Sequence, residues 1–306
     1  MLDIVISGLD SSGTTTQVQD AIDYFQKNSS LVRDLRGSDI DALFHADKFD
    51  DFNSNHIDLE SFLNDPEIDE STKLRIMNSL AMEIRKMRVV SFVKTDRTNY
   101  ADPKKADVWV LEEPPRRGSG LYCRVFEQNR AGFGLERNPL AEAHSHADYR
   151  VCEGHSYRIP ARNADRIILR SRSEESTITY QQFDEEKLSD GILWEVFIEF
   201  PGHEIAFGFP PTHILIAHGP ENWTREDYVK FVESRSKDRI RDDFEKDVDR
   251  QLLVNARYAH QGFLESAYEK GCRRYGREIP EIIRFDARMP MEDIRDYIHK
   301  TLARIT

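Results

Sequence analysis

Cysteine is scarce in this chain: 306 residues include three, Cys123, Cys152 and Cys272. Their wide, unpaired spacing offers neither a zinc-binding nor a dithiol redox motif, and an odd count fits a reducing compartment better than a disulfide-stapled one. No apolar run approaches the ~20 residues that span a bilayer, so no membrane partner is expected. Positive charge is in deficit, with 43 Lys and Arg against 55 Asp and Glu and a formal net charge of −12. Such a field repels polyanions, so nucleic acid is not an expected partner, although a local basic cleft is still permitted. The chain enters an apolar run directly, without a signal-like leader, which points to the cytoplasm. No internal repeat is apparent. What is present, 39% hydrophobic residues over this length, is enough for one large core.

The most informative absence is a single lysine. The run Gly8-Leu9-Asp10-Ser11-Ser12-Gly13-Thr14-Thr15-Thr16-Gln17 follows the short apolar stretch Asp3 to Ser7, in the order strand, loop, helix. A phosphate-binding loop has Gly, four residues, Gly, Lys and then Ser or Thr, and Thr14 stands where the lysine belongs. Backbone amides of such a turn, together with the positive end of the helix it opens, make a nest for phosphate oxygens whatever the side chains are. Gly8, Ser11, Ser12, Gly13, Thr14, Thr15 and Thr16 are therefore the expected nucleotide-binding residues. The Thr15 hydroxyl is the expected magnesium ligand, with ATP and Mg2+ as cofactors. Losing the mobile lysine charge without a substitute slows phosphoryl transfer by roughly 100-fold or more, and weakens binding less.

Periodicity predicts an α/β fold. A first helix runs from about Thr14 to Gln26, and an acidic, helix-forming stretch at 28–105 reads as an insertion after it. Ser71 to Arg88 suits a mostly buried helix within that stretch. Runs at Val89–Lys94, Val108–Glu112, Arg166–Leu169, Ile192–Phe200, Ile205–Phe209 and His213–Ala217 are β-rich, and Leu193 to His203 has the form of an edge hairpin. Glu221 to about Gly271 is charged and helical; Ile282–Phe285 is a last strand and Met291–Ile305 a last amphipathic helix. Strands separated by long helical segments imply right-handed crossovers and a parallel sheet covered by helices on both faces, in three layers. His144, Asp148, Cys152 and His155 recur at helical intervals, but four ligands from one helix face cannot easily surround one ion.

A second motif sharpens the reading. Ser171-Arg172-Ser173-Glu174-Glu175-Ser176-Thr177-Ile178-Thr179-Tyr180-Gln181, after an apolar strand, resembles the thymidylate kinase motif that opens Asp-Arg-Tyr and closes Tyr-Gln. The first loop is similar to that family's Gly-Leu-Asp-Gly-Ser-Gly. Glu113-Pro114-Pro115-Arg116, His146-Ala147-Asp148-Tyr149-Arg150 and Pro211 to Glu221 match further elements in order, so the resemblance covers about Met1–Gln26 and Trp109–Ile305.

The resemblance implies one P-loop domain over 1–306, a lid-like segment at 225–245, and transfer of the ATP γ-phosphate to a deoxynucleoside monophosphate or related nucleotide. It implies that Arg150 and Arg172 grip the acceptor phosphate, with Arg116 nearby and Asp10 on the acceptor sugar. Tyr180 and Gln181 would border the base, and Arg235, Lys237 and Arg239 would close over the phosphates; Arg172, Arg235 and Arg239 are the implied catalytic cations. A homodimer is implied in the same way. Two departures stand out beside Thr14: Ser171 replaces the acid of the Asp-Arg-Tyr element and Ser173 its aromatic residue. They leave open a protein that binds nucleotide without transferring phosphate, and a kinase for a modified acceptor.

Overall fold

The computed structural model describes residues 1–9, 11–36, 106–113, 139–181, 202–235 and 247–306, without the side chains of 139–142, 144, 145 and 181. In chain order the elements are β1 (Asp3–Gly8), α1 (Thr14–Lys27), β2 (Val32–Asp34), β3 (Val108–Glu112) and α2 (Pro139–Glu153). A π-helical turn, Gly154–Arg158, joins α2 to α3 (Ile159–Asn163). Then follow β4 (Ile167–Ser171), α4 (Glu174–Gln181), α5 (His203–Gly208), β5 (His213–His218) and α6 (Arg225–Arg235). The last elements are α7 (Val248–Ala259), α8 (Phe263–Arg274), β6 (Glu281–Asp286) and α9 (Met291–Ile305).

The six described strands form one parallel sheet in the order β2-β3-β4-β1-β5-β6. β1, buried along its whole length, lies between β4 and β5, with Ile6 opposite Ser171 on one side and Leu215 on the other. Among the described strands β1 pairs with neither β2 nor β3. The step from β1 out to β2 runs against all later steps. Right-handed crossovers therefore place α1 on one face and the helices of the later connections on the other. α1 packs against α9, and Val18, Ile22, Ile294 and Ile298 are fully or almost fully buried. On the opposite face Ser7 meets Ser176 of α4 and Tyr258 of α7.

Two local readings change. Val32–Asp34, inside the stretch read as an insertion, pairs with β3 and forms an edge of the sheet. The run Ile205–Phe209, read as a strand, is mostly the helix α5. Gly202, at φ 100°, starts that helix, and its Ile205, Ala206 and Phe207 are all buried, which hides the helical period. The readings at Ser71–Arg88, Val89–Lys94 and 192–200 lie outside the described residues, as does 236–246 of the lid-like segment.

Candidate functional site

The carboxyl end of β1 turns tightly into α1. Gly8 is required there by crowding, because a Cβ would lie 2.5 Å from the Ala217 carbonyl oxygen and 2.8 Å from Ser12 Oγ. The Leu9 amide donates to Ala217 and the Ser12 amide to Leu9, closing a turn in which Ser11 (φ 64°) and Gly13 (φ 86°) are left-handed. Gln17 Nε2 braces the turn through the Ser12 carbonyl at 2.7 Å. Gly13 caps α1 without a side chain, and the amides of Thr14, Thr15 and Thr16 have no partner within a helix that starts there. Ser12 and Thr14 are buried, their hydroxyls 3.4 Å apart, while Thr15 and Thr16 are exposed. Asp10 lies outside the described residues.

Beside this turn, β4 delivers Arg172. Its amide donates to Ile6, its φ is 64°, and its guanidinium lies 5.1 Å over the Tyr180 ring, whose hydroxyl donates to the Gly8 carbonyl. Arg172, Tyr180 and the turn are thus brought together. Arg150 is buried, donating to both oxygens of Glu113 and to Thr177 Oγ1. Arg235 donates to the carbonyls of Ala287 and Met289. Arg116, Lys237, Arg239 and the Gln181 side chain lie outside the described residues.

Arg235 forms one wall of a cavity of about 450 Å³, with Trp223, Phe231, Arg288, Met289 and Pro290 around it. Its indole shelf depends on Gly219, since a Cβ there would overlap the Trp223 ring at 2.4 Å. Met291, next in sequence to the cavity's Pro290, packs on the turn between β1 and α1, its Cε 3.4 Å from where a Gly13 Cβ would sit. No local pattern marks this cavity, because its walls come from the β5–α6 connection, α6 and the β6–α9 connection.

Equally unread in the sequence is a closed ring of buried charges under β1 and β4. Asp3 accepts from Arg170 Nε at 2.9 Å and Arg158 Nε at 3.1 Å; Glu174 pairs with Arg170 Nη1 at 3.1 Å and Arg158 Nη2 at 3.6 Å. The inward placement of Asp3 and Arg170 on two apolar strands was the one available signal, since charges buried at such positions need partners. Burial pushes the Glu174 carboxyl up, but Arg158 and Arg170 outweigh it and hold it at about 2. For Glu175 burial and the neighbouring Glu174 charge raise the carboxyl to about 7. Its Oε1 accepts from the Ser173 amide and Ser176 Oγ, and its Oε2 is buried without a partner.

Among the described residues no group of three or more His, Cys, Asp or Glu side chains is placed to hold a metal ion, and no helix is long and apolar enough to cross a membrane. Compared with models of known protein families and with curated protein sequences, the chain matches none of them.

Proposed function

We propose that this protein is a phosphotransferase of the P-loop type: it seats the polyphosphate of ATP on the backbone of Gly8–Thr16 and passes the γ-phosphoryl group to a nucleoside monophosphate. The supporting observation is the turn itself, where Gly8, left-handed Ser11 and left-handed Gly13 leave the first amides of α1 to an anion. Ser11 occupies the position that is glycine in the thymidylate kinase loop it resembles and adopts the conformation glycine favours. The cavity at Trp223 and Phe231 is of a size for a nucleobase, with an aromatic wall for stacking, Arg235, Arg288 and Lys230 as cations and Asp227 and Ser234 as polar partners.

Transfer breaks the bond from the γ-phosphorus to its bridging oxygen and forms one to an acceptor phosphate oxygen, with ADP leaving. The chain's part is to orient both nucleotides and neutralise charge. The Thr15 hydroxyl would hold magnesium from the loop, and the ion would supply charge neutralisation on the polyphosphate. Glu112 lies in register with Ser171 on the next strand and brings a carboxylate alongside the position where the motif lacks one. Arg172 presents its charge between the acceptor side and the loop.

Calorimetry with MgATP, followed by a coupled assay over a panel of nucleoside monophosphates, tests the reading. Binding with turnover that falls on Arg172→Ala supports it; no binding of ATP refutes it. A second reading, nucleotide binding without transfer, is favoured by the uncharged, buried Thr14 and by the pairing of Arg150 with Glu113. Its signature is binding with no turnover on any acceptor.

A further inference from the structure

We infer that Arg36 supplies the positive charge that the loop omits at Thr14, with Asp34 as the residue that positions it. The inference rests on the nucleotide reading above. Arg36 lies just past the carboxyl end of β2, at the edge of the sheet, and its side chain reaches back to the first two turns of α1. Nη1 donates to the Thr15 carbonyl at 3.4 Å and Nη2 to Gln19 Oε1 at 3.0 Å. Nε and Nη2 together clasp both oxygens of Asp34, at 2.8 to 3.2 Å.

Arg172, over Tyr180, is assigned above to the acceptor side of the turn, and several other described arginines are committed elsewhere. Arg150, Arg158 and Arg170 sit in buried ion pairs. Arg235 is turned to the carbonyls of Ala287 and Met289. Arg36 is a cation in direct contact with the residue that follows the lysine position. A guanidinium has five donors in a planar fork, so one edge can stay on a carboxylate while another meets a phosphate oxygen. Here Nε and Nη2 hold Asp34, and Nη1 makes only a long bond to a carbonyl, so the N–H groups of Nη1 are the ones left for a phosphate oxygen. Asp34 is about one-third exposed, and water screens its opposing charge.

The test is calorimetry with MgATP on the wild-type protein, Arg36→Ala and Asp34→Asn, with turnover measured alongside. Removing the arginine is expected to weaken ATP binding about tenfold and, where turnover is present, to lower kcat by about 100-fold, as for loss of one transition-state charge. Asp34→Asn, which unmasks the guanidinium, is expected to tighten ATP binding. Restoring a lysine in the double variant Thr14→Lys/Arg36→Ala is expected to recover binding. A purely structural ion pair moves both single variants the same way, with parallel losses of affinity and melting temperature; that result overturns the assignment. So does an Arg36→Ala protein that binds ATP within twofold of wild type. If the wild-type protein binds no ATP, the nucleotide reading itself fails, and this inference with it.

Discussion

Glu175→Gln isolates the cost of a buried carboxyl that is raised in the folded protein. Its surroundings bring Glu174 from its own helix, Glu113 from the end of β3, Arg170 from β4, Tyr258 from α7 and Tyr268 from α8. The unfolded carboxyl titrates near 4.5 and the folded one at about 7, so between those values the native state binds a proton that the unfolded chain does not. Stability from this group is therefore intact below pH 4.5 and declines as pH rises, by at most about 3 kcal/mol at pH 8.

The amide keeps the shape of the protonated acid and still accepts from the Ser173 amide and Ser176. Urea unfolding at a series of pH values should find variant and wild type alike at pH 5, with the variant about 2 to 3 kcal/mol more stable at pH 8. His203 acts in the opposite sense. Burial lowers its imidazole to about 4, so its contribution is present above pH 6.5 and is lost on acidification. That effect is common to both proteins and cancels in their difference. Parallel stability curves from pH 5 to 8, or a variant weaker throughout, would refute the reasoning.

Three further outcomes follow from the geometry. Asp3→Ala leaves Arg158 and Arg170 without their shared carboxylate and should cost about 3 to 5 kcal/mol in urea unfolding, as breaking a buried pair does. Gly8→Ala drives a methyl group against the Ala217 carbonyl and should cost about 1 to 3 kcal/mol while abolishing ATP binding by calorimetry. Ser11→Gly, which relieves a left-handed non-glycine residue, should leave ATP affinity within a few fold and change stability by no more than about 1 kcal/mol.

The fold was legible where punctuation and periodicity coincide. β1, the glycine turn and α1 follow one another as an apolar run, a turn and an amphipathic helix, and the helix read as Thr14–Gln26 spans Thr14–Lys27. β4, β5, β6 and α9 were equally readable. β2 escaped notice because three residues are too few to show alternation, and α5 because burial of every residue but Glu204 erases the signature of its period. Of the candidate site, the turn, Arg172 and Tyr180 were placed by motif. The pairing of Arg150 with Glu113, and of Asp3 with arginines more than 150 residues away, depends on how distant segments meet in space, which no local pattern encodes.

The position of β1 has a kinetic consequence. Asp3 bonds to Thr212, 209 residues further along the chain, and Ile168 and Ile214 lie on its two flanking strands. At roughly 5 to 20 residues per second of translation, β1 waits on the order of ten to forty seconds for its second neighbour to be made. During that interval a largely apolar strand with at least one open side is within reach of chaperones and of other nascent chains. Crossings of this length also slow refolding from denaturant. A fragment cut off before His213 would leave the strand bare on one side permanently, and is expected to aggregate rather than form a smaller native domain.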